Sequence, residues 1–377
     1  MNPIPNSKPH IPKHAMENIA QALLSGKLSG DGQWCKKVER RMREDFALPN
    51  VMLTSACTHA LELAAILLNA SAGDEVIMPS FTFVSTANAF IRRGMKPVFA
   101  DIDEKTLNIS PESVKKKISP RTRAIVPVHY AGVASDMDAL LNIAKAHDIF
   151  VIEDAAHAIG AKYKGKPLGA IGDIGCFSFH DTKNICAGEG GAICMNDAAL
   201  VLRAEILREK GTNRSQFIRG EIDKYTWVDV GGSYIMSEIL AAFLDAQFDV
   251  FDFIQGRRKA AHDFYMDTLR ECEEKELLRL PIIPDECESN WHLFYILLPT
   301  ETKRDMVMKQ LKAAGISAPF HYVPLHTSPF GIKYGNKPGD LPVTENLSAR
   351  LLRLPLFPDL SLVECEFIVT KLKEALK

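Results

Sequence analysis

A single lysine stands between an apolar segment and a glycine-rich turn in the stretch SFHDTKNICAGEGGAI, residues 178–193. Its primary amine, on Lys183, is of the kind that bonds covalently to the aldehyde of a cofactor. The same position also suits an ordinary surface lysine at the end of a strand, which is the commoner role of such a residue. The first interpretation requires further groups of defined chemistry at the same place in the fold.

Those further groups are present in the sequence. Pyridoxal phosphate (PLP) needs a lysine amine and a carboxylate at its pyridine nitrogen, and Asp154 follows an apolar run that predicts a strand. Its phosphate needs backbone N–H groups at a helix N-terminus, which the small residues Ala56 and Cys57 precede. Ser178 offers a hydroxyl to the same phosphate, and Phe83 offers a flat ring to stack on the pyridine.

Each of these residues also has a simpler interpretation. The pair Glu153 and Asp154 is also typical of the start of a helix, where a carboxylate caps the first turn. Phe83 also suits a core position, and His157 also suits a hydrogen-bonded histidine on a helix. A glycine pair marks many ordinary turns. The PLP interpretation is favoured because one ligand explains several strand ends together.

The elements that must position these side chains alternate between two patterns. Short apolar runs predict strands at residues 74–79, 96–101, 123–130, 149–156, 175–180 and 190–196. Helix-compatible segments separate the first four, and this alternation predicts an α/β fold with mainly parallel strands. Because ligands of such sheets bind beyond the carboxyl ends of the strands, residues after different strands are expected to meet there.

The remaining segments predict helices and one long loop. Asp136 is expected to cap a helix over residues 137–147, and helices are predicted over 198–210 and 237–270. Residues 212–234 are polar and aromatic without a clear period, which indicates a loop that is functional or lies at an interface.

Composition narrows the class of protein. The 377 residues are 46% hydrophobic and carry a formal net charge of −2, which argues against a nucleic-acid-binding protein. No apolar run is long enough to span a membrane, and the N-terminus lacks the apolar core of a signal peptide. The eight cysteines show neither a disulfide framework nor metal-ligand spacing, so no metal is expected. A soluble, cytoplasmic enzyme is predicted.

Several of these segments resemble one family. EDAAHAIGA, FSFHDTKNICAGEGGA, SGKLSGDG, DEVIMPSFTFVSTANAF, VPVHYAGV and FHYVPLH together resemble the nucleotide-sugar aminotransferases of the fold-type I PLP superfamily. The resemblance implies an aspartate-aminotransferase-like fold with a mainly parallel seven-stranded sheet. It implies a large PLP-binding α/β domain over residues 1–250 and a small α+β domain over 251–377. The N-terminal segment 1–30 is expected to border the active site.

The resemblance also assigns roles by position. Lys183 matches the lysine that bonds to PLP, and the other cofactor-binding positions are Ala56, Cys57, Phe83, Asp154, His157 and Ser178. Asp154 is expected to act in catalysis with Lys183. Several relatives have an asparagine that reaches a partner subunit's phosphate where this chain has Ile235. Arg214 and Arg219 are the candidates to replace that contact.

The implied reaction moves an amino group from L-glutamate to C4 of a dTDP-4-keto-6-deoxyhexose. The segments REKGTNRSQFIRGEIDKYTWVDVGGSYIMSE and RLLRLPLF resemble the branch of the family that makes 4-amino-4,6-dideoxygalactose for surface polysaccharides such as lipopolysaccharide. Ser29, His321, Tyr322 and His326, with the two arginines, are the predicted substrate contacts, and a homodimer with shared active sites is expected. The alternatives are another nucleotide-linked ketosugar as substrate, or a regulatory protein that has kept the fold.

Overall fold

The computed structural model describes residues 3–377, so residues 1 and 2 of the predicted N-terminal segment lie outside the described part. The strands are β1 Met52–Thr54, β2 Glu75–Pro79, β3 Lys96–Ala100, β4 Thr122–Ile125, β5 Phe150–Asp154, β6 Lys162–Tyr163, β7 Lys166–Pro167, β8 Ile174–Ser178, β9 Gly191–Met195, β10 Cys287–Glu288, β11 Phe294–Leu297 and β12 Leu351–Leu354. All six of the predicted strands are present, and the largest difference is at β4, which ends at Ile125 rather than at residue 130.

Helices connect and cover these strands. They are α1 Ala15–Leu24, α2 Gln33–Phe46, α3 Cys57–Leu67, α4 Val84–Ile91, α5 Pro111–Lys117, α6 Met137–His147, α7 Ala199–Arg208, α8 Arg214–Ile218, α9 Glu238–Asp249, α10 Phe251–Glu274, α11 Glu301–Ala313, α12 Pro342–Arg350 and α13 Leu362–Leu376. Within residues 3–377 no helix is both long and apolar enough to cross a membrane.

A seven-stranded sheet forms the centre of the protein, in the order β1-β9-β8-β5-β4-β2-β3. Neighbouring strands from β8 to β3 pair in parallel, whereas β9 runs antiparallel to both β8 and β1. Six strands therefore point one way, and their carboxyl ends share one edge. The predicted fold class, a mainly parallel α/β sheet, is confirmed.

The sheet is buried on both faces, which explains why its strands are continuous apolar runs. On β2, Ile77 packs into the core on the side of α2, α6 and α9, whereas Val76 and Met78 pack on the side of α3, α4 and α7. On β8, Phe177 and Cys176 likewise pack on these two opposite faces of the sheet. Two helical layers therefore hold the sheet rigidly and fix the positions of its strand ends.

A separate core lies in the C-terminal part of the chain. There β11 and β12 pair antiparallel, and α10, α11 and α13 pack around them. Ile4 joins this core and hydrogen-bonds to Gly315, so the N-terminal segment is anchored beside the C-terminal elements. The division into two domains at residue 250 stays a prediction.

Two sequence predictions need refinement. The helical region predicted over 237–270 is two helices, α9 and α10, because the backbone leaves helical geometry at Val250. The predicted loop 212–234 contains the short helix α8 at its start and is otherwise largely irregular. Asp136 caps α6 as predicted, since its carboxylate accepts a hydrogen bond from the Ala139 N–H.

Candidate active site

A cavity of about 760 Å³ opens at the carboxyl edge of the sheet. The starts of α3 and α4, the ends of β5 and β8, and the loop after β8 form one wall. The opposite wall is formed by C-terminal segments at residues 292–293, 319–322 and 353–356, with Asn6 and Ser7 beside them. The cavity therefore lies between the two cores.

Lys183 lies in this cavity, in the loop that connects β8 to β9. Its backbone N–H donates to the His180 carbonyl, which fixes the turn that carries it. Burial lowers the pKa of the Lys183 amine to about 8, because the charged form loses hydration, while the nearby Asp154 carboxylate opposes that shift. About a tenth of an amine with this pKa is neutral at pH 7, far more than for an ordinary lysine, and that fraction is able to act as a nucleophile or base.

Asp154 ends β5 and is only 5% exposed. Its carboxylate accepts hydrogen bonds from the Thr86 hydroxyl at 2.7 Å and the Ala156 N–H at 3.2 Å. Burial raises its pKa, and the Thr86 hydrogen bond opposes that shift. Thr82 supports the arrangement, because its hydroxyl lies 2.8 Å from that of Thr86. A buried carboxylate with lone pairs still free suits a protonated nitrogen as its partner.

The N-terminus of α3 provides an anion-binding end to the cavity. Ala56 precedes the helix with extended backbone and without a side-chain cap. Within residues 3–377, the N–H groups of Cys57 and Thr58 have no hydrogen-bond partner, and both residues line the cavity. Gly191 of β9 passes so close that a Cβ there would lie 2.5 Å from the Cys57 nitrogen. Ser178 lines the same end.

Aromatic and imidazole rings line the central part of the cavity. Phe83 precedes α4, is 57% exposed, and its ring centre lies 6.5 Å from that of Tyr322. His157 stacks near His292 with ring centres 4.2 Å apart, and its buried Nδ1 has no partner among residues 3–377. Burial lowers the pKa of both imidazoles well below the usual range, and the Lys183 charge adds to the effect, so both are neutral.

The predicted substrate contacts divide into two groups. His321 and Tyr322 line the cavity, and the His321 Nδ1 lies 3.0 Å from the Tyr130 hydroxyl. His326 does not line it: this residue is fully buried between the Ser80 hydroxyl at 2.7 Å and the Glu345 carboxylate at 2.9 Å. That geometry gives His326 a role in joining the C-terminal part to the end of β2.

Three further predicted contacts lie outside the cavity lining of this chain. Ser29, Arg214 and Arg219 are exposed. Arg219 forms salt bridges with Glu205 and Glu221, at 2.9 and 2.6 Å. Within one chain, these residues are not brought to Lys183.

Ile235 stands where several relatives have an asparagine, and in this chain it is a packing residue. Gly30 of the N-terminal segment lies against it so closely that a Cβ on the glycine would approach the Ile235 side chain to 2.2 Å. The role of Arg214 and Arg219 in replacing the asparagine contact stays a prediction.

Comparison with known proteins places this geometry in one family. Residues 9–373 match the DegT/DnrJ/EryC1/StrS aminotransferase family. The chain is 34% identical over 383 residues to the Bacillus subtilis spore coat polysaccharide biosynthesis protein SpsC, covering 99% of this chain and 97% of that protein. The chain belongs to the DegT/DnrJ/EryC1/StrS aminotransferase family.

Solved structures of similar proteins agree with this assignment. The aminotransferase TlmJ of Streptoalloteichus hindustanus superposes with a TM-score of 0.92 at 29% identity, covering 100% of this chain and 99% of TlmJ. Streptococcus pneumoniae Spr1654, described as a sugar aminotransferase, has a TM-score of 0.93 in its PMP-form at 26% identity, covering 99% of each chain. Its PLP-form is also known. The predicted fold, cofactor and enzyme class, a PLP-dependent sugar aminotransferase, are confirmed.

The residues of this family member fit PLP on their own geometry. The α3 N-terminus offers two free N–H groups to a phosphate, and a Cβ at Gly191 would fill the space beside them. Asp154 offers free carboxylate lone pairs to the pyridine nitrogen, and Lys183 offers the aldehyde an amine whose pKa is lowered. The unpartnered Nδ1 of His157 leaves one polar atom for a ligand.

Three residues of this site were not predicted from the sequence. Thr86 holds Asp154 and follows Phe83 by three residues, so its place in the first turn of α4 was a usable signal. Arg353 is a lone charge inside the apolar run LLRLPLF, which is unusual for a strand. His292 lies 109 residues beyond Lys183 and carried no local signal.

Proposed function

We propose that this aminotransferase moves an amino group from L-glutamate to C4 of a dTDP-4-keto-6-deoxyhexose. The products are dTDP-4-amino-4,6-dideoxygalactose and 2-oxoglutarate. The observation that carries the proposal is the presence of Lys183 and Asp154 in one cavity whose far end is an open helix N-terminus. The resemblance of residues 208–238 and 350–357 to the galactose-forming branch supports this acceptor.

PLP is held in this proposal by groups from four strand ends. The N–H groups at the start of α3 and the Ser178 hydroxyl would hold its phosphate, and Phe83 would pack against its ring. Asp154 keeps a proton on the pyridine nitrogen. When bound, PLP supplies an aldehyde that condenses with amines and a ring that takes up the electron pair left when a proton leaves the adjacent carbon.

Lys183 carries out the proton transfers. Its amine removes the proton from the α-carbon of the amino donor, and in the second half of the reaction it returns a proton to C4 of the sugar. The lowered pKa of Lys183 matches this double role, since the same group must accept and donate a proton near neutral pH. Asp154 stabilises the charge that develops while the proton is absent, because its carboxylate stays fixed by Thr86.

A homodimer completes the site in this proposal. The segment 212–234 exposes apolar side chains, among them Trp227 at 79% and Ile218 at 64% exposure. A monomer rarely leaves such large side chains clustered in water. We infer that this segment lies against a second copy of the chain, where Arg214 and Arg219 contribute to the partner's substrate site. The family relationship to a spore coat polysaccharide protein suggests a role in surface polysaccharide synthesis.

Borohydride reduction tests the central assignment. Protein purified with PLP, reduced and digested, is expected to carry a phosphopyridoxyl adduct on Lys183 by mass spectrometry. Lys183→Ala should lack that adduct and lose at least about 10³-fold in aminotransferase activity. Lys164→Ala, an exposed lysine paired with Asp138, is the matched control and should keep both. An adduct on any other lysine contradicts the proposal.

A substrate panel tests the acceptor. L-glutamate is supplied with dTDP- and UDP-linked 4-keto and 3-keto sugars, and the configuration of each product is read by NMR. We expect the dTDP-4-keto-6-deoxyhexose to give the galacto product with the highest kcat/KM. A gluco product, or a 3-amino product, assigns the enzyme to another branch of the family. Absence of turnover with every ketosugar favours the regulatory alternative.

A further inference from the structure

Two imidazole rings of the cavity lining are held from behind by buried polar side chains. His321 and His292 line the cavity, whereas Tyr130 and Asn184 are buried outside its lining. The His321 Nδ1 lies 3.0 Å from the Tyr130 hydroxyl, and the His292 Nδ1 lies 2.7 Å from the Asn184 Oδ1. Each Nδ1 is thus occupied on the protein side. Each Nε2 has no partner among residues 3–377 and is left on the cavity side.

The direction of the first hydrogen bond follows from the Tyr130 hydroxyl. Burial raises the pKa of Tyr130 well above its usual range, so the hydroxyl keeps its proton. Within residues 3–377 this O–H has no acceptor other than the His321 Nδ1, and a buried donor left unpaired is costly. Tyr130 therefore donates to Nδ1 of His321, and the ring proton of His321 is on Nε2.

Asn184 gives His292 the opposite tautomer. The Asn184 NH2 group donates to the Asn290 backbone carbonyl at 2.7 Å and to the Gln255 Oε1 at 3.2 Å. Because a backbone carbonyl can only accept, the orientation of the amide is fixed and its Oδ1 faces His292. An amide oxygen also only accepts, so the ring proton of His292 is on Nδ1 and its Nε2 is a free acceptor.

The cavity therefore presents one uncharged donor and one uncharged acceptor. Burial lowers the pKa of His321 to about 2 and that of His292 well below its usual range, and the charge of Lys183 adds to both shifts. Neither ring is protonated near neutral pH. His157 lies beside both, with ring centres 4.2 Å from His292 and 6.3 Å from His321. The donor and the acceptor thus lie close together and near the Lys183 amine.

A hydroxyl group fits this pair better than an anion does. A hydroxyl accepts one hydrogen bond and donates another, whereas a carboxylate or phosphate only accepts and would face the lone pair of the His292 Nε2. On a 4-keto-6-deoxyhexose the two neighbours of the reacting carbon are C3, which carries a hydroxyl, and C5, which carries a methyl group. The C3 hydroxyl is therefore the sugar hydroxyl next to the carbon to which Lys183 delivers a proton.

We propose that Tyr130 and Asn184 fix His321 and His292 in opposite neutral tautomers, so that the two Nε2 atoms donate to and accept from the C3 hydroxyl of the ketosugar. This deepens the proposed function and rests on it. Tyr130 and Asn184 are positioning residues, and the two histidines contact the substrate. A site built to hydrogen-bond a hydroxyl strongly disfavours the analogue that lacks it, so the pair selects ketosugars with a free C3 hydroxyl.

Histidine NMR tests the tautomers independently of activity. Long-range proton–nitrogen spectra of PLP-loaded protein labelled with nitrogen-15 histidine show which nitrogen of each ring carries the proton, and His321→Gln and His292→Gln assign the two signals. At neutral pH we expect the proton on Nε2 of His321 and on Nδ1 of His292. Tyr130→Phe removes only a hydroxyl and should give His321 a mixture of tautomers, with the His292 signal unchanged. The reverse tautomer at either ring in the wild type overturns the proposal.

Separate half-reactions test the hydroxyl contact. PMP-loaded protein is mixed with the dTDP-4-keto-6-deoxyhexose or its 3-deoxy analogue, and PLP-loaded protein with L-glutamate, while absorbance follows the cofactor. The wild type should use the 3-deoxy analogue with a kcat/KM about 10- to 100-fold lower, because both Nε2 atoms lose their partner. Tyr130→Phe should raise the KM for the parent sugar about 3- to 10-fold and lower the preference over the analogue at least about threefold. Its glutamate half-reaction should change less than about twofold.

Tyr265→Phe is the matched control. It also removes a buried tyrosine hydroxyl, which donates to the Pro355 carbonyl at 2.9 Å, and neither residue lines the cavity. This variant should leave both half-reactions unchanged. If Tyr130→Phe does not fold, two variants of His321 replace it. The amide of His321→Gln reaches far enough to donate in place of Nε2, whereas that of His321→Asn is too short, so the glutamine variant should keep a ketosugar kcat/KM at least about fivefold higher.

The outcomes separate this inference from the proposed function. Equal use of the two sugars by the wild type overturns the inference and leaves the aminotransferase activity intact. An equal effect of Tyr130→Phe and Tyr265→Phe on the ketosugar KM does the same, because it reduces Tyr130 to a packing residue. A wild type that turns over no 4-ketosugar fails the proposed function, and the assignment of the C3 hydroxyl fails with it.

Discussion

Glu153 and Asp154 are adjacent on β5 and both buried, yet their surroundings differ. Glu153 accepts hydrogen bonds from the N–H groups of Gly169, Ile171 and Gly172, at 2.6–2.7 Å, and lies 2.8 Å from the His129 Nε2. The Ser135 N–H donates to the His129 Nδ1, so Nε2 carries the proton of a neutral ring and donates it to Glu153. Glu153 is therefore fully partnered by the protein.

Asp154 has fewer partners because it faces the cavity. Among residues 3–377, only the Thr86 hydroxyl and the Ala156 N–H donate to its carboxylate, and burial raises its pKa. Successive strand residues point to opposite faces, so one acid is directed into the fold and its neighbour toward a ligand. The difference indicates that full hydrogen bonding of a buried charge marks a structural role, and incomplete hydrogen bonding marks a binding role.

The largest effect is expected for Asp154→Asn. The amide keeps the size of the side chain but removes the negative charge that holds a proton on the PLP nitrogen, so kcat/KM should fall about 10²- to 10³-fold. Stability should be unchanged or higher, because the folded protein no longer buries a carboxylate. Steady-state kinetics and thermal unfolding of the same preparation check both. A large loss of stability with little loss of rate would reverse the roles assigned to the two acids.

The matching change, Glu153→Gln, is expected to act on stability. An amide offers one acceptor oxygen where four donors converge, and its NH2 group faces other donors, so unfolding free energy should fall by about 2–3 kcal/mol. Urea denaturation measures this loss, and activity per folded molecule should stay near wild type. Glu288→Gln, on an exposed salt bridge with Lys162, is the control and should cost less than about 1 kcal/mol.

A smaller effect is expected for Thr86→Val, which removes the hydroxyl that positions Asp154. The valine keeps the shape of threonine, so kcat should fall about 10-fold through loss of one hydrogen bond to a charged group. Because that hydrogen bond lowers the pKa of Asp154, its loss should move the acidic limb of the pH–rate profile to higher pH. Thr86→Ser should restore the profile, whereas an unshifted acidic limb would assign Thr86 to packing alone.

Local sequence signals predicted the parts of the site that follow single strands. Apolar runs located the strands, and the common edge of a parallel sheet explains how Asp154, Ser178 and Lys183 reach one cavity. The signal for Arg353 and His292 was weaker, because the packing of the C-terminal core against the sheet brings them there. His326 is the opposite case. It is close in sequence to two cavity residues, but it is buried against Ser80 and Glu345 and does not line the cavity.

The local sequence pattern also did not predict which strands pair with each other or in which direction. The run at 190–196 reads as one more buried strand, but only its partners determine that β9 runs antiparallel to β8. That reversal brings Gly191 to the same edge as Ser178, against the start of α3. The glycine-rich turn was therefore noticed in the sequence, whereas its close approach to Cys57 depends on the assembled sheet.

The smallest effect is a shift in pH dependence, and it concerns Lys183 in protein freed of PLP. Burial lowers the pKa of its amine to about 8, so the neutral, reactive fraction at pH 7 is about a tenth. The rate of PLP uptake should therefore rise about tenfold per pH unit below pH 8 and level off above it. Arg353→Gln should move that inflection to higher pH, because the Arg353 charge contributes to the lowered pKa. Stopped-flow absorbance across pH 6–9.5 measures both curves, and an inflection near 10.5 in wild type would show that the amine is hydrated rather than buried.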